Sequence, residues 1–169
     1  MEFLTESNLG GYLEEIFQEP FIHNKAFVNL KRPDYRNDNH KIIVEYDDPK
    51  HYTSSKRIVD DRMRDAFYRE HGYRTIRIPM FVQINTEVIK HFFGIDFKFE
   101  QRYPHGFISD ASTMVLPSDF CELGIRRFLS DISNIPTVYE QTVESLKVKV
   151  QKLGNIDYVL PPSIQYILD

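Results

Sequence analysis

Apolar positions along the chain change their period several times, and each change marks an element. Leu9, Leu13, Ile16 and Phe17 recur at helical spacing, which predicts a first helix over 6–18, stopped near Pro20. The stretch AFVNLKRPDYRNDNHKIIVEYDD then reads as two strands around the turn-rich RNDNH. Its second strand, from Ile42 to Tyr46, is the more apolar and is expected to be central. Thr53, Ser54 and Ser55 offer N-caps for a helix to about Gly72, with Ile58, Val59, Met63, Ala66 and Phe67 facing inward. GYRTIRIP is a strand of alternating character closed by Pro79, and INTEVIKHFFG is a short helix ending at Gly94. A hairpin, a crossover helix and a returning strand make an α/β fold, a mixed β-sheet flanked by helices.

After Gly94 the texture changes. The stretch IDFKFEQRYPHGFISDASTMVLP is loop-like with short extended pieces. Ser118 can cap a helix running to about Ser133. Thr137 with Glu140 forms a capping-box pattern for another helix, which carries Val143, Leu146 and Val150 on one face and stops at Gly154. Residues 1–95 are therefore read as a core and 96–169 as a helical extension packed on it.

A formal net charge of -4 over 169 residues excludes a wholesale basic surface. It conceals a local one. Between 50 and 77 stand Lys50, Lys56, Arg57, Arg62, Arg64, Arg69, Arg74 and Arg77 against Asp60, Asp61, Asp65 and Glu70, and a phosphate backbone responds to such local excess. Arg74 and Arg77 are three apart on a strand, so they cannot both be buried and one is free to face phosphate. The single cysteine, Cys121, allows neither an internal disulfide nor a cysteine zinc site, and its apolar setting suits structural burial. His23, His40, His71, His91 and His105 are scattered and make no zinc pattern. No apolar run reaches membrane-spanning length and the first residues lack a signal peptide's character, so the chain is read as cytoplasmic with no membrane partner.

The chemistry concentrates in KIIVEYDDPKHY. Clustered carboxylates at the end of an apolar strand oppose folding through repulsion and desolvation. Asp34 on the first hairpin strand and Glu45 on the second come close across a short turn. Two carboxylates at a sheet edge suit Mg²⁺, with Mn²⁺ as a substitute, because such ions take oxygen ligands and keep several waters. The ion would lower the pKa of a bound water and neutralise charge on a scissile phosphate. The cations that follow, Lys50, Lys56, Arg57 and Arg77, would hold the phosphodiester backbone.

From RPDYRNDN to GYRTIRI the chain resembles the PD-(D/E)xK nuclease superfamily, the restriction-endonuclease-like fold, and is most similar to the branch related to very-short-patch-repair endonucleases. That branch carries an acidic strand of the form E-x-D-G-x-x-H, a helix with an R-D pair and a G-Y-R strand ending in arginine. Here these read Glu45-Tyr46-Asp47-Asp48-Pro49-Lys50-His51, Arg64-Asp65, and Gly72-Tyr73-Arg74 with Arg77. The similarity spans about residues 7–94. It implies Asp34 and Glu45 as metal ligands, with a further glutamate from the first helix, for which Glu14 is taken over Glu15. The superfamily's lysine, two places after the glutamate, is replaced by Asp47, and Asp48 stands in place of a glycine. Asp47 joins the catalytic set, and proton transfer then falls to His51 or Lys50. Asp48 reads as a turn residue before Pro49. Arg64 and Asp65 read as a surface pair or a tie from helix to sheet.

The expected function is a Mg²⁺-dependent DNA endonuclease in a restriction or repair setting, acting as a homodimer or within a larger protein complex. The alternative is a catalytically inactive member of the same fold that binds DNA or a protein.

Overall fold

The computed structural model describes residues 3–104, 107 and 115–169. His105, and the part of the expected loop over 108–114, lie outside these residues. A helix, α1 (Glu6–Phe17), opens the chain under the Thr5 N-cap. Three strands follow: β1 (Ile22–His23), β2 (Tyr35–Asn37) and β3 (Ile42–Asp47). A four-residue helical turn, α2 (Lys50–Thr53), leads through the Ser54 N-cap into α3 (Ser55–Glu70), and the chain returns as β4 (Arg74–Pro79). Three more helices are α4 (Thr86–Phe93), α5 (Glu122–Ser133) and α6 (Pro136–Leu153).

The sheet is mixed, in the order β1-β2-β3-β4, with antiparallel pairing up to β3 and parallel pairing of β3 with β4. A parallel pair needs a crossover, and α3 supplies it. The expected α/β hairpin with a returning strand is present. Its first strand is shorter than expected, because residues 26–34 form a loop with a single turn of 3₁₀ helix.

Alternation along β3 sends Ile43, Glu45 and Asp47 to one face and Ile42, Val44 and Tyr46 to the other. Ile43 packs with Tyr68 and Tyr73 beneath α3. Val44 belongs to the main core, which takes in Leu9 and Leu13 of α1. That same core continues through Phe128 and Ile132 to Leu146, Leu160 and Ile164, so the two halves of the chain share one apolar interior.

Three helical expectations are corrected. In α3, Ile58 points inward, but Val59 and Met63 are exposed and the remaining buried positions are Asp61 and Tyr68. The stripe Ile58, Asp61, Asp65, Tyr68 satisfies helical spacing as well as the apolar one does, and it wins because the sheet beneath carries charge to pair with it. The start of α6 is set by Pro136 at its first turn, with Ile135 as N-cap, rather than by Thr137 with Glu140. The cap of α5 is the half-buried Cys121, its Sγ accepting from Gly124 N at 3.3 Å, rather than Ser118, which lies in a preceding 3₁₀ turn. Among the described residues no helix is long and apolar enough to cross a membrane.

Candidate active site

β3 ends between two neighbours that carry charge to the same face. Its register with β2 pairs Tyr35 with Val44, so the next step sets Asp34 opposite Glu45. Its register with β4 places Arg77 beside Glu45.

The first group is Asp34 with Glu45. Asp34 Oδ2 accepts the Tyr46 backbone N–H at 2.7 Å. Glu45 is 2% exposed, and its Oε2 lies 3.8 Å from Arg64 Nη1, too far for a good hydrogen bond. Among the described residues Glu45 Oε1 makes no hydrogen bond of ordinary length, and the buried Tyr68 hydroxyl is a donor within longer reach of the Glu45 carboxyl. Burial, then the Asp34 charge, push the Glu45 carboxyl up to about 8, against the pull of Arg77 and Arg64. Asp34 is raised as well, by burial first and by the Glu6 and Asp47 charges, and the Tyr46 N–H offsets part of it. The buried Glu45 with an unbonded oxygen, beside the half-buried Asp34, fits a hard divalent cation, which supplies positive charge and takes oxygen ligands.

Glu14 does not join this pair. It is exposed on α1, whereas the α1 carboxylate whose charge reaches Asp34 is Glu6. The N-terminal end of α1 is the part tied to the strands. Tyr35 donates its hydroxyl to Glu6 O at 2.6 Å, and Tyr46 donates its own to Leu4 O at 3.0 Å. Glu14 lies eight residues on, about 12 Å along the helix axis.

The second group gathers Asp47, His51, Asp61, Arg77 and Arg127. His51 Nδ1 stands 2.6 Å from Asp61 Oδ2 and 3.2 Å from Asp47 Oδ1, while Nε2 is 3.2 Å from Arg57 Nη2. Arginine can only donate, so the network assigns the neutral ring's proton to Nδ1. Arg77 donates from Nη1 to Asp47 at 2.8 Å, and from Nε and Nη2 to Asp65 at 3.0 and 2.8 Å. Arg127 donates to Asp47 Oδ2, to Asp61 Oδ2 at 3.1 Å and to the His51 carbonyl at 3.3 Å. Its guanidinium also covers the Tyr52 ring at 5.1 Å. Burial alone would raise Asp61, but His51 and Arg77 hold it below the usual carboxylate range. Asp131, which accepts the Tyr52 hydroxyl at 2.8 Å, is pushed up to about 6 by burial.

Asp47, His51 and Asp61 each bring a ligand atom within 4.8 Å of the others, a set that could hold a metal ion. Both Asp47 oxygens, however, already face guanidinium groups. An ion there would have to displace Arg77 or Arg127.

The four cations expected on phosphate divide. Lys50 is exposed, with its backbone N–H bonded to Asp48 Oδ1 at 2.8 Å, the turn role expected for Asp48. Lys56 is exposed and pairs with Asp60, and Arg57 is half-exposed above His51. Arg77 is largely enclosed and committed to carboxylates, so it acts as a tie between β4 and α3 rather than as a free phosphate ligand. Asp65 completes that tie, and Arg64 makes a looser one to Glu45. Arg74 lies on the surface, donating to the Phe92 carbonyl at 3.1 Å.

Asp61 and Arg127 were not anticipated from the sequence. Asp61 sits in an unremarkable DD pair, and its signal was the period it shares with Ile58, Asp65 and Tyr68. Arg127 lies 80 residues beyond Asp47, and its signal was an inward stripe of Gly124, Arg127, Phe128, Asp131 and Ile132. Comparison with protein-family models, curated proteins and solved structures gives no match to this chain.

Proposed function

We propose that the chain is a divalent-cation-dependent DNA endonuclease of the restriction-endonuclease-like type, with Asp34 and Glu45 as cation ligands. The observation that carries this reading is the buried Glu45 carboxyl, whose Oε1 makes no hydrogen bond of ordinary length among the described residues and which faces a second carboxyl across the hairpin. Asp47, two residues on, instead takes a guanidinium donor on each oxygen. Mg²⁺ or Mn²⁺ bound here would supply Lewis-acid activation of water and neutralise charge on the phosphate.

The protein's own groups do the rest. Lys50, Lys56 and Arg57 steer the phosphate backbone toward the mouth of the site and fix its register. His51 holds a proton at Nδ1 between Asp47 and Asp61, and Arg57 bridges that network to solvent. Asp47 stands where the resemblance expects a lysine, and it brings Arg77 and Arg127 in its place. Positive charge therefore still borders Glu45.

A second reading keeps the fold and DNA binding without cleavage. It is favoured by the complete burial of Asp47, which leaves that position without a mobile cation. Supercoiled DNA incubated with Mg²⁺, Mn²⁺ or EDTA, beside Glu45→Ala, separates the two. The nuclease gives metal-dependent nicking that the variant loses. A binding protein leaves the DNA intact under every metal, and the variant retains its affinity.

A further inference from the structure

The loop between β1 and β2 carries the most exposed large apolar side chain among the described residues, Leu30, at 83%. The neighbouring Val28 is exposed too. Leu30 has φ 59° and Asn29 has φ 53°, so two successive non-glycine residues occupy the left-handed region. A bulky side chain is strained there, and strain that persists at an exposed apolar tip serves neither packing nor solubility.

The tip is also well supported. Phe27 N donates to Lys31 O at 2.7 Å and Lys31 N to Val28 O at 3.2 Å, closing the turn. Asn24 N donates to Asp34 O at 2.8 Å and ties the base of the loop. Phe27 anchors it on the far side, with its ring 5.0 Å from Tyr73 and 6.1 Å from Tyr68. Between residues 24 and 33 the loop holds Lys25, Lys31 and Arg32, all exposed, and no acid.

We infer that Leu30 is a wedge that enters a base step of duplex DNA while Lys25, Lys31 and Arg32 hold the flanking phosphates. This rests on the nucleic-acid reading above. Apolar side chains on a cationic, rigid support unstack duplex steps because each base that leaves its neighbour regains an apolar contact. The placement suits that role. Leu30 precedes Asp34 by four residues, at most about 14 Å of extended chain. At about 3.4 Å per base along a strand, the opened step lies within about four nucleotides of the phosphate at Asp34 and Glu45. Opening the duplex there would give a cleavage site access to a distorted backbone.

The test uses the full chain, a duplex carrying 2-aminopurine at successive positions, and EDTA so that cleavage does not intervene. Wild type is expected to raise 2-aminopurine fluorescence at one step on binding. Leu30→Ala loses that rise and binds about tenfold more weakly, with the salt dependence of binding unchanged. Lys31→Ala with Arg32→Ala lowers the salt slope by about 2. Leu30→Gly, which relieves the left-handed strain, loses the fluorescence rise while its thermal stability is unchanged or higher, so a folding defect is not the cause. Binding by Leu30→Ala as tight as wild type, with fluorescence intact, overturns the wedge alone. Failure of wild type to bind any duplex overturns it together with the DNA reading. Loss in Leu30→Ala of binding to anionic phosphatidylserine vesicles, with no effect on duplex, overturns it in favour of a membrane. Fluorescence rise without cleavage in any metal upholds the wedge and removes the nuclease.

Discussion

Two acidic groups share the end of β3 and are paired in opposite ways. Asp47, fully buried, has a guanidinium on each oxygen and a histidine beside it. Glu45, two residues earlier on the same face, has Arg77 beside it in the register, Arg64 at 3.8 Å and, among the described residues, one oxygen without an ordinary hydrogen bond. Burial is nearly equal, so desolvation does not distinguish them. Pairing does. Both Asp47 oxygens are bonded within the chain, and Asp61 Oδ1 in the same network is left to ion pairs with Arg77 and Arg57 at 3.6 and 3.8 Å, whereas Glu45 holds its unbonded oxygen beside a second carboxyl. Burial of charge thus marks a candidate site only where the compensating charge is missing.

The contrast predicts that the two groups respond oppositely to neutralisation. Asp47→Ala leaves Arg77 and Arg127 buried against each other without their shared counter-ion. Chemical denaturation should show a loss of about 3–5 kcal/mol; a loss below about 1 kcal/mol would mean the network is not the structural half. Glu45→Gln should act the other way. The native carboxyl, raised to about 8 from an ordinary value of 4.5, keeps a proton that the unfolded chain has released between those limits. Wild-type stability therefore falls as pH rises through that window, and the glutamine variant escapes the fall. By pH 8 the variant should be more stable by on the order of 4 kcal/mol, measured by urea unfolding at pH 5, 6.5 and 8. Parallel pH profiles for the two proteins would show that Glu45 is ionised normally.

The third expectation is slightly smaller and locates the cation. Mg²⁺ or Mn²⁺ at a hundredfold excess over its dissociation constant should stabilise the native chain by about 2.7 kcal/mol, read as a rise in unfolding midpoint. Glu45→Gln should abolish the rise and Asp61→Asn should keep it. The reverse pattern would move the ion to Asp47, His51 and Asp61 and break the comparison.

Much of this was legible in the sequence. The hairpin, the crossover helix and its Ser54 cap follow from short-range patterns, and the returning strand sits where its alternation placed it. The meeting of Asp34 and Glu45 was legible because Asp34 immediately precedes one strand and Glu45 lies on the next, within a dozen residues. Glu6 was obscured because a helix has several acids and periodicity does not say which turn meets the sheet. Asp61 was obscured by an apolar stripe, Val59 and Met63, that competes for the same helix. Arg127 depends on the docking of α5 against α2, a long-range event with no local signature.

That docking is close. Tyr52 O accepts Cys121 N at 3.1 Å, and a Cβ on Gly124 would fall 1.8 Å from the same carbonyl. The chain's two halves are therefore not modules that could be shuffled separately. A lineage that inherited residues 1–95 without α5 would carry Asp47 and Asp61 short of a cation, and one that kept α5 elsewhere would leave Arg127 with only Asp131 of its own helix to neutralise. Recombination that preserves this protein has to transmit both halves at once, and drift at position 124 is closed to every side chain larger than hydrogen.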